Sequence, residues 1–170
     1  PIKAGSIERI GLNFGAPGDR KTRDGTLWLD YPSVGGPSPK IRIETKPKQP
    51  TFHYRHSNWM KAGAGWPWVA ASAVEGLQEL TLHDLKPGRY TVRLHFAEIA
   101  NINPGGRVQT IRLQGDAVLN RFDIRAEAKH RMTGIVRQSE NVKVDGTLTL
   151  ILEASTGQSL ISGIEVIRVQ

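Results

Sequence analysis

The feature that most limits this chain of 170 residues is a period of two in its apolar residues. In "RYTVRLHF", residues 89–96, Tyr90, Val92, Leu94 and Phe96 alternate with polar or small positions. In "TLTLILE", 147–153, Leu148, Leu150 and Leu152 do the same. Successive side chains of a strand point to opposite faces, so this pattern describes strands buried on one side. Pro87–Gly88, Gly115–Asp116 and Asp145–Gly146 punctuate the runs. Such dipeptides favour turns, and Asp-Gly between two alternating runs predicts a hairpin. "LISGIEVIRV" closes the chain as a further strand, with Gly163 at a possible bulge. No long segment keeps a 3.6-residue period, and the best place for a turn of helix is "RAEAKHR", 125–131. The expected fold is all-β, an antiparallel β-sandwich with little helix. No repeat and no linker divides the chain, so residues 1–170 read as one domain, excised from a larger protein.

Composition narrows the function classes. No apolar run approaches the roughly 20 residues that span a bilayer, so membrane insertion is not expected. There is no cysteine, which excludes disulfides and thiolate chemistry. The net charge is +7. A basic balance suits polyanions, yet no nucleic-acid motif accompanies it, and nucleic acid is not an expected partner. The densest basic cluster, Arg20, Lys21 and Arg23, is interleaved with Asp19 and Asp24. The basic excess is therefore read as a solubilising surface.

Catalytic and metal patterns are weak. His53 and His56 are three apart, which on a strand puts them on opposite faces, a poor spacing for one metal. Asp19, Asp24 and Asp30 supply oxygens, but their spacing matches no calcium-loop pattern. Glu98 ends an apolar strand and suits a structural carboxylate that accepts hydrogen bonds from loop amides. "AASAV" lacks the flanking glycines of a nucleophile elbow. No catalytic residue, metal ligand or cofactor is assigned.

Three stretches together carry a family likeness. They are "IGLNFGAPGDRKTRDGTLWLDYP", "KPGRYTVRLHFAEI" and "RVQTIRLQGDAVLNRFDI", followed by "DGTLTLILE" and "LISGIEV". In this order the chain resembles a malectin or malectin-like carbohydrate-binding domain over nearly its whole length. The resemblance implies a jelly-roll-like β-sandwich that binds glucose-containing oligosaccharide through aromatic loops at one end, without catalysis. It also implies a secreted or cell-envelope location. Trp28 falls where the family has an aromatic after its Gly-rich loop, and Tyr54 lies roughly at a second. The chain departs from the family at Ala100 and Asn101, which replace a Tyr-Phe pair, and near Gln158, where an acid is expected. Gln109–Thr110 stands where Phe-Asp is usual.

Eight of the eleven aromatic residues lie within the first 68 positions, the half richest in irregular Gly and Pro segments. Aromatic faces stack on the C–H faces of sugars, and exposed clusters of them mark contact sites. The expected ligand-binding residues are Trp28, Asp30, Tyr54, Trp59, Trp66 and Asn101, the last offering a hydrogen bond where the family stacks a ring. Trp68 shares a strand face with Ala70, Ser72 and Val74 and is assigned to the core. The leading reading is a non-catalytic module for oligo- or polysaccharide, monomeric in isolation. The alternative is a protein-interaction or spacer domain that has lost its sugar site.

Overall fold

The alternating runs become strands. In the computed structural model, which describes residues 2–170, strand makes up 49% of the chain and helix 7%. The fold is thus an all-β sandwich. One layer is a seven-stranded sheet. Its order is Arg20–Lys21, Leu27–Tyr31, Arg9–Phe14, Gly163–Arg168, Gly88–Phe96, Thr133–Val144 and Ala62–Gly63. The facing layer combines a five-stranded and a three-stranded sheet. The first runs Asp116–Phe122, Val108–Leu113, Leu148–Thr156, Glu79–Leu82, Ile43–Lys46. The second runs Leu160–Ile161, Ala73–Glu75, Thr51–His53. Between these strands pairing is antiparallel except at two places. Arg9–Phe14 lies parallel to Leu27–Tyr31, and Thr133–Val144 parallel to Ala62–Gly63.

The period-two residues fill the space between the layers. Tyr90, Val92, Leu94 and Phe96 face Leu80, Leu82, Leu148, Leu150 and Leu152, all buried in one cluster with Ile10, Leu12 and Phe14. Burying a side chain of this size contributes about 1.5–3 kcal/mol, so this shared face defines the register of both layers. The Tyr90 hydroxyl lies 2.6 Å from the Lys86 carbonyl and 3.0 Å from that of Ile7. Burial raises its pKa, as does Glu8, against the opposing pull of Arg168 and the Lys86 hydrogen bond. The helix expected near 125 is Ile124–Ala128, capped by Asp123, whose carboxylate accepts from the Ala126 amide.

Two local expectations are corrected. Asp145–Gly146 is not a hairpin turn: the strand before it belongs to the seven-stranded sheet and the one after to the five-stranded sheet. The Pro87–Gly88 turn likewise carries the chain from one layer to the other. A turn dipeptide reverses the chain, but which sheet receives the next strand is decided by its buried face. Gly163 is not a bulge, since its pairing with Asn13 and His95 is regular.

Gly163 instead answers a packing need that it shares with Gly11. Trp28 projects from the outer face of the seven-stranded sheet, away from the main core, and is wholly buried there. A β-carbon at Gly11 would lie 2.3 Å from the indole, and one at Gly163 would lie 3.1 Å from it and 2.7 Å from Val69. The two glycines let the ring lie against bare backbone. We therefore expect Gly11→Ala to destabilise the fold by about 1–3 kcal/mol, the usual cost of overpacking. Gly18→Ala, where a β-carbon meets nothing within 4 Å, should stay within about 0.5 kcal/mol of the parent. Urea denaturation of both variants checks this.

Candidate functional site

Three segments converge around Trp68, the ring that covers Trp28. The first is the loop Ala16–Asp19 with the strand residue Arg20. The second is Tyr54–Trp59, ending in the 3-10 turn Ser57–Trp59. The third is Trp66 to Trp68. Pro67 opens a short helix, Pro67–Ala70, a position suited to its fixed φ and missing amide hydrogen. That turn packs against the one carrying Trp59. Asn13 ties it to the sheet: its amide donates to the Trp68 carbonyl at 3.2 Å and its oxygen accepts from the Ser72 hydroxyl at 2.7 Å.

The result is a graded aromatic stack. Trp28 meets Trp68 edge-on, with centroids 5.8 Å apart. Trp68 stacks on Trp66 at 5.7 Å and 27°. The guanidinium of Arg20 lies over the Trp68 ring at 4.8 Å. A cleft of about 280 Å³ opens beside it, lined among others by Asp19, Arg20, Tyr54, Arg55, His56 and Trp68. That is small beside the roughly 300–1,000 Å³ of most ligand pockets, so a longer ligand must also lie on the surface around it. A larger cavity of about 700 Å³ runs from Lys46 past Glu75 to Gln158, but no aromatic ring lines it.

The six expected site residues separate. Tyr54, Trp59 and Trp66 are exposed, at 54%, 58% and 36%. Trp28 is at 0% and cannot touch a surface ligand, because the Trp66–Ser72 segment covers it. Asp30 is buried at 4%; its carboxylate accepts from the Val34 amide, and its own amide donates to Asp19. Asn101 is exposed in the loop after Gly88–Phe96 and does not line the aromatic cleft. Trp68, assigned to the core on a strand pattern, is half-buried on a helix and central to the stack. Pro67 was the available signal, since proline at a first helical position is a start mark.

His95, on the strand Gly88–Phe96 beyond Gly163, packs edge-on against Trp28 at 5.1 Å. Burial, reinforced by the nearby Arg93 charge, holds its pKa down to about 4. Three buried polar atoms without a protein partner lie on this one face: Trp28 Nε1, Asp30 Oδ1 and His95 Nε2. Such atoms are uncommon and concentrate where a structure serves more than packing. Asp24, His53 and His56 have local partners. Asp24 accepts from Thr22 and pairs with Arg9. His53 meets Glu75, while His56 accepts from the Asn58 amide. Among the described residues no group of three or more His, Asp or Glu side chains could hold a metal.

Glu98 sits in a separate buried network. It accepts from the Ala100 amide at 3.0 Å and from Arg107 at 2.7 Å. Arg107 also reaches Glu75 at 2.9 Å and the Gln158 carbonyl at 2.6 Å. Burial works against its charge, but the two carboxylates outweigh it and raise the Arg107 pKa.

Comparisons place these features among known proteins. The family model for the malectin domain matches residues 80–167, more than half of the chain. No curated protein sequence matches. Among solved structures, a Bacteroides uniformis β-glucuronidase shares 11% identity at a TM-score of 0.70, over 95% of this chain and 18% of that one. The extracellular domain of ANXUR1 from Arabidopsis thaliana shares 14% at 0.70, over 95% and 48%. A structure of the plant peptide RALF23 in complex with FER and LLG2 shares 22% at 0.62, over 96% and 48%. The chain spans less than half the length of each, and at these identities the likeness is one of fold.

The His95 environment predicts a pH dependence. Its folded pKa is depressed, so between about 4 and the unfolded 6.5 the unfolded chain binds the extra proton. Stability therefore falls as pH drops through that window. From pH 7 to pH 5 the His95 contribution should fall by roughly 2 kcal/mol. Urea denaturation at the two values checks this, and His95→Phe should remove that part of the change.

Proposed function

The chain belongs to the malectin-domain family, and from that premise we propose that it is a non-catalytic carbohydrate-binding module acting outside the cell as part of a longer protein. The observation that carries this is the exposed trio Trp66, Trp59 and Tyr54 beside the small polar cleft. Solvent-facing rings of this size are costly unless they meet a ligand. Their flat faces suit the C–H faces of sugar rings, and the cleft supplies directional hydrogen bonds. The extracellular placement draws on the receptor ectodomains that share the fold. No helix among the described residues is long and apolar enough to cross a membrane. Trp28 serves the site from beneath by holding Trp68 in place. Asp30 supports it through the loop it binds, and Asn101 offers a hydrogen bond away from the cleft.

A second reading, a protein-interaction domain, has one specific observation behind it. The positions where the family carries its Tyr-Phe pair hold Ala100 and Asn101, and the Ala100 amide is tied to Glu98. Near Gln158, where the family has an acid, the backbone carbonyl is tied to Arg107. That part of the sandwich end presents a buried ion network in place of rings.

A glycan array followed by calorimetry on the best oligosaccharide tests the first reading. We expect Trp66→Ala with Tyr54→Ala to weaken binding roughly tenfold or more, at about 1 kcal/mol for each aromatic contact, with the melting temperature nearly unchanged. Trp28→Ala should behave differently. It removes a fully buried indole and should cost about 3–5 kcal/mol of stability. Binding to no glycan, with capture of a protein ligand unaffected by these changes, would favour the second reading.

A further inference from the structure

We propose that the free edge of the strand Ile43–Lys46 docks an extended peptide segment of a partner protein, one that alternates apolar residues with an acid, a base and an acid. The segment adds there as a sixth strand of the five-stranded sheet. Ile43–Lys46 is the last strand of that sheet and pairs only with Glu79–Leu82. The carbonyls of Arg42 and Lys46 accept from the amides of His83 and Gln78, on the side of that neighbour. In an antiparallel ladder the main-chain groups of successive residues point to alternate sides. The amides and carbonyls of Ile43 and Thr45 therefore point away from the sheet. Both residues line a cavity of about 670 Å³. A cavity of about 350 Å³ adjoins it through Tyr31 and Ile43, and adds Leu29 and Ile41. The cavity of about 700 Å³ described above adjoins it through Lys46, Pro47 and Glu79. The unpaired main chain thus borders a trough whose floor, at Leu29, Tyr31, Ile41 and Ile43, is apolar. None of the residues lining the trough lines the aromatic cleft, so the site is independent of the glycan-binding reading.

The pattern of side chains selects the occupant. Ile43 and Thr45 are half-buried, facing inward, while Arg42, Glu44 and Lys46 are exposed. The incoming residues opposite Ile43 and Thr45 therefore face the apolar floor. Those opposite Arg42, Glu44 and Lys46 face solvent. On the sheet side these three meet Asp84, His83 and Glu79. On the free side the complementary order is acid, base, acid, and opposite charges directly across two strands are stabilising. A second copy of this chain is excluded by the same reasoning. Hydrogen bonds to the free groups require Ile43 of one copy to pair with Thr45 of the other. That register sets Glu44 against Glu44, Arg42 against Lys46 and Lys40 against Lys48. Like charges placed this way are a known guard against self-pairing of a sheet edge. They leave a foreign strand of the reverse pattern admissible, and main-chain pairing plus pockets for alternate side chains is a recurring mode of peptide recognition.

The test uses the intact chain and capped, fluorescently labelled heptapeptides in a polarisation assay. The first is Thr-Glu-Val-Lys-Val-Glu-Thr, and the second is its charge inverse, Thr-Lys-Val-Glu-Val-Lys-Thr. Two more are the first peptide N-methylated at both valines, and at the central lysine instead. We expect the first peptide to bind at least tenfold more tightly than its inverse. Methyl groups on the valine amides, which face Ile43 and Thr45, should abolish binding, and one on the lysine amide should leave it within about twofold. Thr45→Pro removes an amide hydrogen from the free side only, where proline is tolerated, and should also abolish binding. Glu44→Lys should narrow the charge preference. Melting curves keep loss of fold apart from loss of affinity, and the methylated peptides decide the matter if Thr45→Pro does not fold. Equal binding of the peptide and its inverse would overturn the inference, as would full binding of the valine-methylated form. Binding of none of the peptides would overturn it too. A dimer of the free chain in sedimentation, lost in Thr45→Pro, would assign the edge to a second copy and overturn the partner strand. None of these outcomes touches the glycan array, whose failure would count against the aromatic reading alone.

Discussion

The contact on which the recognition surface depends is the one between the Trp28 indole and the bare backbone at Gly11 and Gly163. A tryptophan on the outer face of a sheet would ordinarily be a liability in water. Here the sheet supplies a flat floor and the Trp66–Ser72 segment supplies a roof. The roof is held by two different forces: ring packing from Trp68, and the Asn13 amide reaching the Trp68 carbonyl. Once the roof is fixed, the orientation of Trp66 follows from Pro67, and the place of Arg20 follows from the Trp68 ring. The exposed end of the stack is therefore as well determined as the buried end, although it faces solvent. A binding surface gains from such rigidity, because less side-chain freedom remains to be lost when a ligand arrives.

A second constraint works at another part of the same end of the sandwich. The Glu98–Arg107–Glu75 network is buried, and buried ion pairs add little net stability over apolar residues of similar volume. Its value lies in position. Arg107 reaches Gln158 in a distant loop, and Gln109, two residues on, uses its side-chain amide to bond both the amide and the carbonyl of Leu160. The loops after the Gly88–Phe96 strand and before the last strands are thus tied to a common point. The two places where this chain departs from the pattern its family resemblance implies, Ala100–Asn101 in place of a Tyr-Phe pair and Gln158 in place of an acid, both lie beside that point. Its rings are instead gathered at the other set of loops.

How much of this could be read in the sequence follows from which interactions are local. Strand faces are set by neighbours two residues away, so Tyr90, Val92, Leu94, Phe96 and Leu148, Leu150, Leu152 could be placed from their alternation alone. Glu98 as a ligand for loop amides was legible for a similar reason, since its acceptor role concerns the Ala100 amide. The sheet to which each strand belongs was not legible. Asp145–Gly146 has the composition of a hairpin turn, yet the strands on either side bury their faces against each other across the core. The site was only half legible. Composition could say that rings were crowded in the loop-rich half, but exposure of a particular ring depends on partners far away in sequence. Trp28 disappears because of Gly11 and Gly163, and Trp68 emerges because a helical turn, where an alternating pattern suggested a strand, rotates it away from the core.

Charge shows the same division between local and distant causes, and it separates the parts of the molecule that maintain the fold from the part that faces a ligand. The sequence displays a surplus of cations but not where the deficit of partners falls. In the structure, Glu165 is buried and holds Arg9 and Arg93 on the outer sheet face, while Glu75 and Glu98 hold Arg107 within the end network. Those arginines have their charges answered inside the fold. Among the described residues Arg20 and Arg55 form no ion pair, as is also true of Arg23, Arg89, Arg121, Arg125 and Arg131, but these two stand together at the cleft beside the exposed rings. An ion pair within the fold would have consumed the directionality of the Arg20 fork. Stacking on Trp68 fixes the plane of that fork while leaving its hydrogen-bond donors free. An aromatic support therefore does for this arginine what a carboxylate does for the others, with the difference that its charge remains available to something outside the chain.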